Sequence, residues 1–288
     1  MVKPKTLILL GCIIGGVLLS GAVIISVFTV TRSDCPPGRT LAAVLEVRRL
    51  NWHVSRIRRQ SSILERDGAL ELWSTPEGQF WAPAQVSAGL PFVLAEQFMK
   101  IYGSGRFAVR PGDVVLDCGA DVGDFTRQAL QMGASMVVAI EPSPMKHVCL
   151  QRNLEHEISQ GKVIVYPKGV WNTDSTLTLY VDSVVEKRSD DGVVVPLTTI
   201  DKLVSELNLP RVDFIKMDIE GAEVPALQGA AATLARYRPR MSISTEHYPD
   251  DVFKITQVVR TAVPSYRSAC GMCAFMAGRV RPYVMHFY

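Results

Sequence analysis

Three stretches hold residue types that could do chemistry together. The first is Val114-Val115-Leu116-Asp117-Cys118-Gly119-Ala120-Asp121-Val122-Gly123-Asp124-Phe125-Thr126. An apolar strand runs into a loop with two glycines and then into a helix. Such a helix start offers free backbone N–H groups, and glycine permits a close approach of the backbone. A dinucleotide site would read G-x-G-x-x-G there, with the pyrophosphate on the helix terminus. Here the spacing is Gly119-x-x-x-Gly123, and carboxylates stand at 117, 121 and 124. Negative charge opposes a pyrophosphate and suits a cationic ligand, such as one carrying a sulfonium and an α-amino group. An NAD-dependent oxidoreductase is the rival reading, disfavoured by this spacing; a tight turn without a ligand is the other.

The second stretch is Glu141-Pro142-Ser143, 24 positions beyond Asp117 at the end of the next strand. A carboxylate at that place can accept both ribose hydroxyls of a nucleoside ligand. The third is Asp213-Phe214-Ile215-Lys216-Met217-Asp218-Ile219-Glu220-Gly221-Ala222-Glu223. Lys216, Asp218 and Glu220 alternate at a strand end, so they share a face or fan around its tip. Charges closing an apolar strand are costly to bury without partners or a purpose. The reading is an active-site group at the carboxyl edge of a sheet; the alternative is a salt-bridged cap on the next helix. His247 ends a later strand and reaches the same edge, where a base would help an alcohol lose its proton. No metal is expected: Cys270-Gly271-Met272-Cys273 is half of a zinc site, and the chain has no second CxxC to complete it.

Strands alternating with helices must position these residues. Strands are expected at 114–116, 136–140, 163–166, 212–217 and 241–245, with further ones near 177–181 and 193–197. Helices are expected at 125–132, 145–158, 201–207 and 222–234. Alternation of this kind implies a mainly parallel sheet covered on both faces, with an antiparallel last strand near 282–288. Ahead of it, Leu70 to Ala82 reads as a hairpin about Thr75-Pro76-Glu77-Gly78, and Leu90 to Ile101 as a helix.

These stretches together resemble the FkbM-type methyltransferases, within the class I Rossmann-like methyltransferases. The resemblance rests on 116–126, on Ala139-Ile140-Glu141-Pro142-Ser143-Pro144, on Thr198-Thr199-Ile200-Asp201 and on 214–223, and continues through Leu227-Gln228-Gly229-Ala230 and Arg238-Pro239. It implies an α/β Rossmann-like sheet of seven strands, mainly parallel. It further implies S-adenosylmethionine (SAM) as cofactor and O-methylation of a hydroxyl, often on a sugar or polyketide. By the same resemblance the loop from Asp117 to Gly123 holds the methionine part and Glu141 the ribose, with Cys118, Gly119, Ala120, Asp121, Asp124, Phe125, Thr126, Pro142 and Ser143 among the cofactor-binding candidates. Position 121 is usually Asn in that family and is Asp here; position 118 is usually aliphatic and is Cys. Asp218 or His247 is then the expected base, worth ~10²–10⁴ in rate, with Lys216 and Glu220 beside it. A non-catalytic scaffold that kept the fold is the remaining rival.

The rest of the chain bears on location. Thr6 to Val30 is a run of 25 residues without a charge, and about 20 apolar residues span a bilayer. The expected organisation is a tail over 1–5, a transmembrane helix over 6–30, a basic helical linker over 31–68, an N-terminal lobe over 69–110 and the methyltransferase domain over 111–288. Arg32, Arg39, Arg48, Arg49, Arg56, Arg58 and Arg59 follow the span, against Asp34 and Glu46; Lys3 and Lys5 precede it. The positive-inside rule then favours a cytoplasmic domain. Ala43, Val47, Leu50, Val54, Ile57, Ser61 and Leu64 form a heptad seam. It packs on the domain, joins a second copy as a dimeric stalk, or belongs to a basic helix lying on anionic lipid. The scattered cysteines suggest no disulfide framework and a reducing compartment. A net charge of +3 gives no support to nucleic-acid binding. The expected partner is a small-molecule or lipid-linked hydroxyl acceptor.

Overall fold

Val114–Cys118 (β4), Met136–Ile140 (β5), Val163–Tyr166 (β6), Phe214–Met217 (β10) and Arg240–Ser244 (β11) are short runs rich in Val, Ile, Leu, Met and Phe. β4 and β10 are buried along their whole length, as strands of a parallel sheet covered on both faces must be. In the computed structural model, which describes residues 33–180, 192–276 and 278–288, they form a seven-stranded sheet with Ser268–Cys270 (β12) and Val284–Phe287 (β15). Its order is β12-β15-β11-β10-β4-β5-β6. β15 runs antiparallel to both neighbours, and the pairings among β11, β10, β4, β5 and β6 are parallel. From β4 the chain builds outward through β5 to β6, then returns to lay β10 on the other side of β4. That reversal opens a crevice beyond the carboxyl ends of β4 and β10, where such sheets bind ligands.

The covering helices are Asp124–Gln131 (α3), Pro144–Asn153 (α4), Glu155–Ser159 (α5), Ile200–Glu206 (α6), Glu223–Gln228 (α7), Ala231–Tyr237 (α8) and Asp251–Ala262 (α9). Two helices expected as single pieces are broken. The helix expected over 145–158 divides at Leu154, and that over 222–234 divides at Gly229. A Cβ at Gly229 would stand 2.1 Å from the Trp171 carbonyl oxygen, so the backbones touch there and only glycine fits. Gly169–Val170 (β7), Ser175–Leu179 (β8) and Val193–Thr198 (β9) form a separate small sheet in the order β7-β9-β8.

The N-terminal lobe has one strand more than the expected hairpin. Ser62–Asp67 (β1) joins Leu70–Thr75 (β2) and Gly78–Pro83 (β3) in an antiparallel sheet. Asn153, the last residue of α4, ties β3 to the loop after β4: its Nδ2 donates to the carbonyls of Trp81 (2.9 Å) and Val122 (2.8 Å). Pro37–Gln60 (α1) packs on Leu90–Met99 (α2) and on the hairpin of Cys273–Met276 (β13) and Arg279–Pro282 (β14). The heptad residues Ala43, Leu50 and Ile57 are buried in that contact, so the seam is taken up by the chain's own domain. Its last two members leave the helix, because α1 stops at Gln60 and Leu64 lies in β1. The transmembrane helix expected over 6–30 lies outside the described residues, among which no helix is long and apolar enough to cross a membrane.

The cysteine pattern is corrected. Cys35 and Cys273, 238 positions apart, form a disulfide, while Cys118, Cys149 and Cys270 are free. Only one cysteine of the CxxC pair is engaged. Beside the bridge the Asp34 amide donates to the Val280 carbonyl (2.9 Å), and Asp34 and Arg279 pair at 3.4 Å. The start of α1 is thereby stapled to the C-terminal hairpin. Closing so long a loop restricts the unfolded chain, a contribution of about 3–5 kcal/mol. Cys273→Ser should lower unfolding free energy by that order in a denaturant titration, and reductant should lower the wild type equally. Cys270→Ser should change little. Identical curves for oxidised and reduced wild type would count against the bridge.

Candidate active site

Lys216 is the point from which the site is built. β4 and β10 are parallel neighbours in a register that sets Lys216 opposite Asp117. The Lys216 ammonium is buried, donates to the Gly119 carbonyl (2.6 Å) and stands 3.3 Å from Asp117 Oδ1. It also lies 5.3 Å from the centre of the Tyr102 ring. Burial pulls its pKa down, but Asp117, Asp218 and Asp124 outweigh that and hold it above the ordinary lysine value. Asp117 is itself wholly buried; its other oxygen accepts the Thr126 hydroxyl (2.6 Å). Burial pushes its carboxyl up, opposed by Lys216.

The glycine loop follows. Gly119 has φ +80°, and a Cβ there would lie 1.9 Å from the Asp218 carbonyl oxygen. The loop after β4 and the end of β10 are thus in backbone contact. Of the expected cofactor residues, Asp117, Cys118, Ala120, Phe125 and Thr126 are buried behind the loop, with Phe125 stacked on Phe214 at 6.2 Å. Asp124 is buried as well, while Asp121 is half-buried. Asp121 takes a left-handed conformation, φ 49°, which Asp and Asn tolerate, and pairs with Lys146 at 2.7 Å. Asp124 is pushed up to about 7, first by burial and then by the charge of Asp121.

Glu141, at the end of β5, is buried and uses both oxygens on backbone: Oε2 accepts the Asp121 amide (3.1 Å) and Oε1 the Ser143 amide (2.9 Å). Each oxygen keeps a lone pair for a further donor. Burial pushes its carboxyl up, against the pull of Lys146. Pro142 and Ser143 are half-buried beside it. SAM fits this donor set. Asp124 is a buried carboxyl short of a counter-charge, which a cationic amino-acid end would supply, and Glu141 has acceptor capacity for a diol.

At the tip of β10, Asp218 accepts the Tyr102 hydroxyl on Oδ2 (2.8 Å) and pairs through Oδ1 with His247 Nε2 (3.2 Å). Burial opposes its ionisation, but His247, Lys216 and Tyr102 prevail and hold the carboxyl down to about 2. His247 Nε2 also lies 3.4 Å from Glu223 Oε1. Burial lowers the imidazole, yet the two carboxylates outweigh it and raise it to about 11. His247 is therefore an imidazolium at neutral pH, and the Asp218–His247 pair is already charged. Asp218, Glu223 and His247 bring one ligand atom each within 4.8 Å of one another. Glu220, in left-handed conformation, points its side chain outward, 92 % exposed.

Sequence reasoning missed Glu246, the neighbour of His247; its carboxyl, like that of Asp124, is pushed up to about 7, at Glu246 first by burial and then by the Asp218 charge. It also missed Tyr102 and Glu96, which the N-terminal lobe brings across the crevice. Glu96 accepts the Tyr283 hydroxyl (2.6 Å) and is held well above the carboxylate range by burial. A carboxylate pattern at the end of β11, Thr245-Glu246-His247, was the one available signal. Lys216→Met should remove about 3–5 kcal/mol of stability, because it strands Asp117 as a buried charge. Asp117→Asn combined with it should recover part of that loss in urea unfolding. A single variant as stable as wild type would contradict the placement.

Comparison with known proteins bears on the family and the fold. The methyltransferase FkbM domain matches residues 117–271, more than half of the chain. Methyltransferase FkbM from Methylobacillus flagellatus KT shares the fold: TM-score 0.50 and 17% identity, over 87% of this chain and 62% of that one. Precorrin-6y C5,15-methyltransferase from Geobacter metallireducens GS-15 gives TM-score 0.39 at 13% identity, covering 62% and 81% of the two chains. Ribosomal protein L11 methylase from Lactobacillus delbrueckii subsp. bulgaricus gives 0.38 at 14%, covering 67% and 75%. No curated protein matches significantly. With strand order, glycine loop and family match in agreement, the chain belongs to the FkbM family of SAM-dependent methyltransferases.

Proposed function

We propose that this protein transfers a methyl group to a hydroxyl oxygen of a small or lipid-linked acceptor while anchored to a membrane through residues 6–30. The observation that carries the reading is the convergence of the glycine loop, the Asp218–His247 pair and Glu246 on one sheet edge. SAM supplies an activated methyl when bound. The loop from Gly119 to Gly123 would hold its amino-acid end, with Asp121 and Asp124 facing its positive charge and Glu141 its ribose. Because the donor is already activated, alignment of acceptor and methyl dominates catalysis. The chain's own residues then bind, orient and handle one proton.

Glu246 takes that proton in this reading. A carboxyl near 7 is matched to an operating pH near neutrality, where a general base works best. Asp218 and His247 instead position the acceptor, the imidazolium as a hydrogen-bond donor and the carboxylate as its fixed partner. Two variants separate the roles. Glu141→Ala should weaken SAM binding on the order of 10²-fold, since two charge-assisted hydrogen bonds of ~1.5–3 kcal/mol each are lost. Glu246→Gln should leave SAM affinity near wild type and cut turnover ~10²-fold. Wild-type turnover should climb as pH rises through about 7, as Glu246 loses its proton; the Gln variant should lose that limb. Unchanged turnover and pH profile in Glu246→Gln would return the base role to Asp218 or His247.

The side of the membrane is part of the proposal. The arginines after the apolar run favour the cytoplasm, but the Cys35–Cys273 bond supports an oxidising compartment. We take the covalent bond as the stronger signal, since Lys3 and Lys5 balance some of the arginine bias. Intact cells or sealed vesicles distinguish the two. The domain should be protected from a cytoplasmic-side protease, and in a Cys270→Ser variant Cys35 and Cys273 should take up maleimide only after reduction. Digestion from the cytoplasmic side would reverse the orientation.

A further inference from the structure

α1 has two faces, and only one is used by the domain. Ala43, Leu50, His53 and Ile57 point inward. The opposite face carries Leu41 (64 % exposed), Val44 (43 %), Leu45 (68 %) and Trp52 (57 %). At 100° per residue, Leu41, Val44, Leu45, Arg48, Trp52 and Arg59 fall within one narrow stripe of the helix. Arg49 and Arg58 are exposed at its margins. The helix holds one acidic residue, Glu46, and it is paired with Arg39 at 3.1 Å. An outward stripe of large apolar side chains set among arginines that pair with no acid among the described residues is the composition of a helix that lies in a lipid interface.

The sequence just before the helix selects the occupant. The uncharged run ends at Val30, and Pro37 begins α1. Six intervening residues reach at most ~20 Å even when fully extended. Cys35, within that link, is covalently fixed to the domain. If residues 6–30 span the bilayer, as proposed above, the amino end of α1 is held at the membrane surface. The arginines complement lipid phosphates; a second copy of this face would set arginine against arginine. We propose that α1 lies on the membrane with Leu41, Leu45 and Trp52 immersed in the interface, so that the domain is docked flat on the bilayer. This inference rests on the anchoring proposed for 6–30.

The full chain reconstituted in vesicles tests it. The protein has four tryptophans, at 52, 73, 81 and 171, and none in the apolar run. Vesicles of phosphatidylglycerol and phosphatidylcholine with brominated acyl chains should quench part of the emission. That quenchable part should vanish in Trp52→Phe, an exposed position where the change is tolerated by the fold. Arg48→Glu with Arg49→Glu should reduce it without releasing the protein from the vesicles. Flotation of the vesicles reports the anchor separately: if the chain does not float, the reading of 6–30 fails. If it floats and Trp52→Phe leaves the quenching unchanged, or no quenching occurs, docking through α1 is wrong. Efficient cross-linking of two copies through Leu45→Cys, with Trp52 unquenched, would assign the face to a dimer instead.

Discussion

One buried ammonium holds the two halves of the crevice together. Lys216 is taken out of water on a central strand, where an unpaired charge would cost several kcal/mol. It is stabilised by Asp117 on the adjacent strand and by the Gly119 carbonyl. These contacts link β10 to β4 at the level where both strands end. They also fix the first peptide of the glycine loop, which in turn presses on the Asp218 carbonyl. The glycine loop and the Asp218 end of β10 are thereby packed as one unit, and in the proposed reaction, where alignment dominates, that contact would keep the donor and acceptor sides in register.

The crevice is also organised by a shortage of positive charge. Asp117, Asp121, Asp124, Glu141, Asp218, Glu223 and Glu246 converge there, and Lys216, Lys146 and His247 are the cations among them. Asp218, hydrogen-bonded by His247 and Tyr102, is held ionised, whereas burial and neighbouring carboxylates push Asp124 and Glu246 toward neutrality. A cationic cofactor enters such a field favourably, and its arrival lowers the cost of ionising Asp124. The same field explains why His247 holds its proton: two carboxylates share one ring nitrogen. The partners of that histidine lie at positions 218 and 223, and nothing beside it in the sequence announces them.

The sheet was legible in the sequence because parallel strands buried on both faces read as short apolar runs. Glycine and charge mark their ends, so the loop at 117–124 and the strand end at 214–220 could be placed before their contacts were known. Periodicity carries no information on pairings between distant segments. Tyr102 meets Asp218 across 116 positions and Cys35 meets Cys273 across 238, and nothing local to either partner announces the other. The division of the expected helix at Gly229 has the same origin, a backbone contact with Trp171. Glu246 escaped notice because its shift comes from burial and from Asp218, which are tertiary properties.

The heptad pattern of α1 shows how a correct periodicity can leave its partner undetermined. A seam of Ala43, Leu50 and Ile57 satisfies a coiled coil and a domain surface equally, since both ask for an apolar stripe. The structure assigns that stripe to α2 and β13, and this makes the other face the informative one. A helix held only by its inner stripe would ordinarily carry polar residues outward. Leucines and a tryptophan there are exposed at a cost unless something covers them. The disulfide adds a constraint that sequence periodicity lacks: it fixes where α1 begins relative to the C-terminal hairpin, six residues after the apolar run. A helix free to swing could hide its outer face in many ways, whereas one pinned at that point presents it in a single direction relative to the sheet.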